Sequence, residues 1–154
     1  MAMLLNTTRV RRASPADVPR LAPLFDQYRQ FYGKPSDLAV SERFLTERVG
    51  REESVVLIAE ADAGHVRGFV QLFPSFSSVR AARIYILNDL FVVPAARRTG
   101  VGSALVREAA RVAREAGAVK IKISTAIANA PAQRLYEREG WQREDEYYEY
   151  GLAL

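Results

Sequence analysis

The stretch from residue 82 to residue 116 limits the possible folds more than any other part of this sequence. It begins with ARIYILNDLFVV, residues 82–93, which predicts a strand too apolar to be exposed on both faces. A loop containing glycine and arginine follows, and residues 100–116 then carry apolar side chains at helical spacing until Gly117. Such a strand belongs inside a sheet that is covered by helices.

The remaining segments supply the other elements of this sheet. Apolar or alternating runs predict strands at 8–13, 54–61, 66–74 and 119–126, and the final stretch WQREDEYYEYGLAL predicts one or two closing strands. Capping residues and helical periodicity predict helices from Ser14 to the break at Gly33, over 37–49 and over 129–138. The order β-α-α-β-β-β-α-β-α-β predicts an α/β or α+β domain of three layers. Its mixed, mostly antiparallel sheet would have six to seven strands with helices on both faces, and residues 1–154 would form a single domain.

The residue types that the chain lacks exclude several kinds of chemistry. It has no cysteine, which excludes disulfides, thiolate nucleophiles and cysteine-ligated zinc. Its only histidine, His65, lies in a predicted surface turn, so we expect no metal site and no Ser-His-Asp triad. No apolar run approaches the ~20 residues that span a membrane. The N-terminus lacks the pattern of a secretory signal, and we expect a cytoplasmic protein without a membrane partner.

The net charge of +4 is distributed unevenly along the chain. Residues 94–120 carry six basic and two acidic side chains, whereas residues 137–149 carry two basic and six acidic ones. The first segment would suit an anionic ligand and the second a cationic one, but charge alone equally fits solvated helix and strand faces. The arginines cluster around one loop and form no extended basic stripe with aromatic residues, so we expect no nucleic-acid partner.

The loop between the apolar strand and the following helix has the chemistry of an anion site. It reads Arg97-Arg98-Thr99-Gly100-Val101-Gly102-Ser103. Glycine lets a ligand approach the backbone, and the first amides of a helix point outward without intrahelical acceptors. Together with the helix dipole and two arginines, these groups suit a phosphate. The loop matches neither a Walker A motif nor a dinucleotide fingerprint, and an ordinary tight turn is the alternative interpretation.

Two blocks at matching spacing resemble those of the GCN5-related N-acetyltransferases. The pattern Arg97-x-x-Gly100-x-Gly102 is similar to the family signature Arg/Gln-x-x-Gly-x-Gly/Ala. Downstream, NAPAQRLYEREGW at 129–141 resembles the second block of Asn, Ala, Tyr and Gly-Phe, with Trp141 in place of Phe. The resemblance covers most of the chain and is strongest over about residues 83–141. YILNDLFV and FYGKP further resemble the polyamine-acetyltransferase-like and yeast Hpa-like branch.

The resemblance implies acetyl-CoA as the cosubstrate of an N-acetyltransferase. The pyrophosphate would lie on the loop amides, the strand before the loop would pair with the pantetheine arm, and Asn129 would contact that arm or simply cap its helix. The implied cofactor-binding residues are Phe91, Val92, Val93, Arg97, Arg98, Thr99, Gly100, Val101, Gly102, Ser103 and Asn129. The strand residues among them are equally suited to core packing.

The resemblance also implies direct attack of a neutral amine on the thioester, with no covalent enzyme intermediate. Tyr136 corresponds to the tyrosine near the thioester sulfur, where its hydroxyl would protonate the departing thiolate. A backbone N–H near Val93 would stabilise the oxyanion. The polyamine-type pattern often has Glu-Asp where this chain has Asn88-Asp89, so the first carboxylate is missing. Asp89 is the nearest candidate base, although strand alternation leaves its face open; a water chain or tyrosine side chains are alternatives.

The acceptor amine would contact the first two helices, the third strand and the C-terminal strands. Candidate substrate residues are Tyr28, Tyr32, Tyr85 and Asn88, together with Phe31, Gln71 and Phe73. The three tyrosines of the tail, Tyr147, Tyr148 and Tyr150, favour strands and predict a homodimer interface. We expect transfer to the primary amine of a small molecule or peptide. A non-catalytic acyl-CoA-binding or sensing domain on the same fold is the alternative, motivated by Asn88.

Overall fold

The computed structural model describes residues 8–154, which divide into two compact units. The first unit ends at Ser124 and contains the whole sheet, and the second is Thr125–Leu154. That residues 1–154 form a single N-acetyltransferase domain stays a prediction.

The sheet of the first unit has five strands in the order of the chain. They are β1 (Arg9–Arg12), β2 (Val55–Glu60), β3 (Val66–Ser77), β4 (Ala82–Val92) and β5 (Lys120–Lys122). Neighbouring strands from β1 to β4 are antiparallel, and β5 pairs with β4 in parallel. The helices are α1 (Val18–Phe31), α2 (Leu38–Gly50), α3 (Val101–Glu115) and, in the second unit, α4 (Ala130–Arg138). This mixed, mostly antiparallel sheet confirms the predicted fold class.

Helices cover both faces of the sheet, as the sequence predicted. On one face, Leu21 and Phe25 of α1 and Leu45 of α2 pack in a buried cluster with Phe69 of β3 and Phe91 of β4. On the other face, a Cβ added to Gly68 would come within 3.2 Å of a methyl group of Leu105 in α3. Because adjacent residues of a strand point to opposite faces, β3 separates the two helical layers.

Capping residues and glycines in the sequence account for the start or end of several helices. Asp37 and Asn129 accept backbone hydrogen bonds from Val40 and Ala132 and so cap α2 and α4. Gly117 and Gly140, at φ +78° and +87°, adopt the left-handed conformation just beyond α3 and α4.

The number of strands differs from the predicted six to seven. Residues 141–154 form no strand, and β5 is confined to three residues of the predicted 119–126. The tail combines adjacent carboxylates at Glu144, Asp145 and Glu146 with side-by-side aromatics, so it has neither a clean alternation nor a continuous apolar face. Its large apolar side chains are exposed instead, among them Tyr147, Tyr148, Tyr150, Leu152 and Leu154.

Candidate active site

The loop after β4 places backbone amides at the start of a long helix. A 3-10 turn, Pro94–Ala96, follows β4, and Gly100 adopts φ +88° immediately before α3. A Cβ at Gly100 would meet no atom within 4 Å, so the strain of a side chain there would come from φ and not from crowding. The Ala104 amide donates to the Gly100 carbonyl at 3.0 Å. The first-turn amides of a helix point outward along its axis.

The two arginines of this loop have different environments. Arg97 donates from Nε to the Val92 carbonyl at 2.9 Å, and its guanidinium lies 5.7 Å from the centroid of the Phe91 ring. Arg98 is exposed and has φ +61°, an uncommon conformation for a residue with a side chain. Thr99 donates its hydroxyl proton to the Ala96 carbonyl. Arg97 is thus fixed on the end of β4, while Arg98 projects into solvent.

Two clefts border the end of β4 within the first unit. One, of about 360 Å³, is lined by Gln27, Gln30, Phe31, Phe91, Pro94 and Arg97. The other, of about 400 Å³, is lined by Thr8, Arg67, Val93, Ala95, Ala96 and Thr99. Phe91 and Val93 border different clefts, although residues i and i+2 share a face of a regular strand, because β4 ends at Val92 and Val93 lies beyond it. The sequence analysis missed Gln27 and Gln30; their spacing of three on α1, beside Phe31, is the signal that would have found them.

The amide of Val93 is already engaged. Its N–H donates to the Arg67 carbonyl at 2.8 Å. The Val93 N–H itself is therefore the wrong donor for an oxyanion, because β3 already uses it.

A bulge in β4 determines where Asp89 points. Gln71 pairs with Asp89 and Leu72 with Leu87, so Asn88 is an extra residue that has no partner in β3. Asp89 consequently shares a face with Phe91, on the side covered by α1. The open question of its orientation is settled by this register shift.

The carboxylate of Asp89 is enclosed by neutral hydrogen-bond donors. Its residue is 2% exposed, and it accepts hydrogen bonds from Gln71 Nε2 and, at 2.7 Å, from Asn88 Nδ2. Burial raises the pKa of Asp89 above its ordinary value, and the hydrogen bonds from Asn88 and Gln71 oppose that shift. A raised pKa makes the carboxylate a better proton acceptor.

Tyr28 connects the backbone of Asn88, next to Asp89, to the outer part of α1. Its hydroxyl donates to the Asn88 carbonyl at 3.4 Å, and its ring centroid lies 6.1 Å from that of Phe69. On its other side the Tyr28 ring meets that of Tyr32 at 5.0 Å, and Tyr32 is 54% exposed. Of the predicted substrate residues, the structure thus groups Asn88, Gln71, Tyr28 and Tyr32 with Asp89.

Tyr85 does not join this group. It is buried and pairs with Pro74, which lies on the same side of β3 as Val70 and Leu72. Alternation therefore places Tyr85 on the face opposite Gln71 and Asp89.

A second buried carboxylate orders the segment between α1 and α2. Asp26 accepts hydrogen bonds from the Ser36 hydroxyl at 2.6 Å, the Asp37 amide at 2.9 Å and the Ser41 hydroxyl at 3.0 Å. These donors, with Ser36 first, lower the pKa of Asp26. The sequence analysis missed this role, for which a lone Asp on a helix gives no local signal.

The second unit contains the remaining predicted site residues. The Asn129 side chain accepts from the Ala132 amide at 3.3 Å and so acts as the helix cap that the sequence left open. Tyr136 is buried, and its ring centroid lies 5.7 Å from that of Trp141. Gln133 donates to the Ala126 and Ile127 carbonyls, which fixes the turn before α4.

The described residues form neither a metal site nor a membrane-spanning helix. Across residues 8–154, no group of three or more His, Asp or Glu is arranged to hold a metal ion. In the same part of the chain, no helix is both long and apolar enough to cross a membrane.

Known proteins resemble this chain over most of its length. The family model described as "Acetyltransferase (GNAT) family" matches residues 21–141. The "Uncharacterized N-acetyltransferase YhfO" of Bacillus subtilis (strain 168) is 46% identical over 145 residues, 94% of this chain and 97% of that protein. The "Aminoglycoside N(6')-acetyltransferase type 1" of Klebsiella aerogenes is 34% identical over 100 residues, 64% of this chain and 65% of that protein.

A solved structure extends the likeness to three dimensions. The crystal structure of a probable acetyltransferase is 41% identical and superposes with a TM-score of 0.89, covering 95% of this chain and 97% of that one. Members of this family use acetyl-CoA as cosubstrate, and acetyl transfer to amines is the activity that the relatives' names carry. The chain belongs to the GNAT family of acetyltransferases.

Proposed function

We propose that the protein transfers an acetyl group from acetyl-CoA to the primary amine of a small molecule or peptide, by direct attack within a ternary complex. The observation that carries the proposal is the left-handed Gly100 at the start of α3, inside the region that matches the family. The 34% identical relative is named for acetylating an aminoglycoside, a small molecule with amino groups. The polyamine-type branch stays a prediction.

The residues of the loop fit acetyl-CoA. The open space at Gly100, the first amides of α3 and the exposed Arg98 offer donors and positive charge to a pyrophosphate. In the proposal, main-chain groups of Phe91–Val93 pair with the pantetheine arm, residues 97–103 hold the pyrophosphate, and Asn129 contacts the arm. The Arg97 side chain contributes indirectly, by fixing the end of β4.

The proposed chemistry uses two side chains. Asp89 accepts the proton that the acceptor ammonium must lose, which its neutral surroundings and raised pKa favour. Tyr136 donates its hydroxyl proton to the thiolate of the departing CoA. Asn88, which bonds to Asp89, and Tyr28 and Tyr32, which continue the group along α1, contact the acceptor, whereas Tyr85 is buried on the opposite face of the sheet.

We also propose a homodimer that uses the tail. Tyr147, Tyr148 and Tyr150 are 84%, 91% and 93% exposed, a large aromatic surface for a single chain to leave in water. Sedimentation should give twice the mass of the chain, and replacing Tyr148 and Tyr150 by serine should return it to one. The cytoplasmic localisation stays a prediction.

The first experiment is a thiol-release assay with acetyl-CoA against a panel of alkylamines, aminoglycosides and lysine peptides. We expect turnover with one amine class and a fall of about 100-fold in kcat for Tyr136→Phe. Turnover that persists unchanged in Tyr136→Phe would keep the acetyltransferase and remove this proton donor.

The alternative function is a non-catalytic acyl-CoA-binding or sensing domain. The feature that favours it is Asn88, an amide where relatives of the polyamine type often have a carboxylate, here bonded to the Asp89 side chain. Clear binding of acetyl-CoA by calorimetry without acetylation of any amine in the panel would favour this alternative.

A further inference from the structure

We propose that Gln27 and Gln30 of α1 bind the two amide groups in the pantetheine arm of acetyl-CoA, and that Phe31 packs against its dimethyl carbon. The inference rests on the proposed function and adds a second wall to the proposed cosubstrate site, on a helix outside the glycine loop and β4. It gives a binding role to side chains that belong to neither of the two motifs in the sequence.

The cleft of about 360 Å³ brings α1 next to the end of β4. Its lining includes Gln27, Gln30 and Phe31 from α1, and Phe91 and Pro94 from the strand end and the turn that follows it. The proposed function pairs the arm with main-chain groups of this strand end. A chain that pairs with one strand has polar groups on its other edge that still need partners. The helix α1 forms the other side of the cleft and can supply those partners.

The arm and this part of α1 carry matching groups. Pantetheine has two amides with two methylene groups between them, followed by a carbon that bears two methyl groups. Gln27 and Gln30 are three residues apart on one helix, a spacing that places their Cβ atoms ~5–6 Å from each other. A glutamine amide can donate to a carbonyl and accept from an N–H, so each glutamine can bind one amide of the arm.

Both glutamines have polar atoms that a ligand can use. Gln27 is exposed, and its side chain makes no hydrogen bond within the part of the chain that the structure describes. Gln30 is also exposed, and its Nε2 atom donates to Asp26 Oδ2 at 3.1 Å. Because Asp26 engages the nitrogen, Oε1 of Gln30 is the atom that can accept the N–H of an arm amide.

Phe31 offers the apolar contact. The residue is 66% exposed, and its ring centroid lies 5.2 Å from that of Tyr32. An exposed ring at the edge of a cleft gains free energy when an apolar group covers it. The dimethyl carbon of pantetheine is such a group, and it lies between the amides and the phosphate of the cosubstrate.

The charge of the cleft also fits the cosubstrate. Among the described residues that line it, Arg97 is the charged one, and no carboxylate is present. Arg97 belongs to the glycine loop, where the pyrophosphate that follows the arm is proposed to lie. The neutral arm therefore meets neutral side chains on α1, while the anionic end of the ligand meets the cationic end of the cleft.

The first test uses calorimetry to compare binding of CoA with binding of the adenosine bisphosphate that remains when the arm is removed. We expect Gln27→Met and Gln30→Met each to weaken CoA binding by about fivefold, the equivalent of one hydrogen bond. Methionine keeps the length and the helix propensity of glutamine, so α1 should be preserved. Phe31→Ala should weaken CoA binding by a similar factor, and all three variants should bind the bisphosphate like the wild type. Arg98→Gln should weaken both ligands, because its charge acts on the phosphates.

Ser36→Ala is the matched control. It removes a hydrogen bond to Asp26, as Gln30→Met does, but Ser36 does not line the cleft, so CoA binding should stay at the wild-type value. Wild-type affinity for CoA in Gln27→Met and Gln30→Met, or an equal loss of affinity for the bisphosphate, overturns the inference. Absence of CoA binding by the wild-type protein would instead overturn the proposed function.

Discussion

Two carboxylates of this chain are almost equally buried but lie in opposite electrostatic environments. Asp17, 4% exposed, accepts both Nη groups of Arg11, at 2.8 Å and 2.9 Å, and one from Arg20. Asp89, 2% exposed, is bonded only by neutral donors. The hydrogen bond from Arg11 is the first cause that lowers the pKa of Asp17, whereas burial raises the pKa of Asp89.

The difference separates a structural cluster from a chemical one. Arg11 and Arg20 also bind Glu60, so Asp17 helps to tie β1, β2 and the turn before α1 into one charged network. Every charge there has a partner of opposite sign. Asp89 has none, and a buried carboxylate without a cation is ready to take up a proton.

The linkage between protonation and folding has opposite signs at the two sites. Because folding lowers the pKa of Asp17, its ionised carboxylate stabilises the folded state at pH values above its ordinary pKa, near 4. This contribution is lost as the pH falls. Because folding raises the pKa of Asp89, its protonated carboxyl group stabilises the folded state at pH values below that ordinary pKa. This contribution is lost as the pH rises through the pKa of Asp89 in the folded state. At neutral pH, Asp17 supports folding and the charge of Asp89 opposes it.

The largest expected effect comes from Asp89→Asn. This variant keeps the shape of the side chain but cannot accept the proton, so we expect kcat at pH 7 to fall by about 100-fold or more. The free energy of unfolding should be unchanged or higher, because a buried charge is removed. Steady-state kinetics and urea unfolding measure the two quantities.

Asp17→Asn is the matched control for that prediction, since it is the same change at a buried carboxylate. It should keep the kcat of the wild type under conditions where it is folded. Equal losses of activity in both variants would show that the two carboxylates do not differ in the proposed way.

The fold was largely predictable because local residue types mark the ends of its helices and one internal strand is strongly apolar. Gly117, Gly140 and the caps at Asp37 and Asn129 are visible as residue types, and the apolar run at 82–93 leaves little choice but an internal strand. The closing strands were wrong because a strand needs a partner and an apolar face, which the acidic residues 144–146 do not supply.

The candidate site was less predictable because it depends on register. The extra residue at Asn88 is visible only when Gln71 is seen opposite Asp89 and Leu72 opposite Leu87. No local signal distinguishes this bulge from a regular strand, so the face of Asp89 could not be predicted. The glycine loop needed no such information, since its function depends on consecutive residues.

The next effect in size is on stability. Asp17→Asn should lower the free energy of unfolding by about 2 kcal/mol, because it removes one of the two carboxylates that bind Arg11. Urea unfolding at pH 7 measures the change. Glu115→Gln, which removes an exposed ion pair with Arg111 on α3, is the control and should leave the unfolding midpoint essentially unchanged. Equal effects of the two changes would remove the structural role given to Asp17.

A smaller effect should appear in the pH dependence of stability. The wild-type protein should lose stability as the pH falls from 6 towards 3, because Asp17, Asp26, Glu60 and Glu108 have lowered pKa values in the folded state. Asp17→Asn should lose less over the same range, since one of these groups is gone. Urea midpoints at several pH values test this, and parallel curves for the two proteins would contradict it.

The smallest effect is expected from Gln71→Met, which removes one donor to Asp89 with little change in volume. The lost hydrogen bond stabilised the carboxylate, so the pKa of Asp89 should rise further and the acid limb of the kcat profile should move to higher pH. At pH 7, kcat should change by no more than about fivefold, the equivalent of one hydrogen bond. A profile that kept its acid limb in place would mean that Gln71 packs beside Asp89 without tuning it. Asn88, and not Gln71, would then be the amide that opposes the effect of burial on the Asp89 pKa.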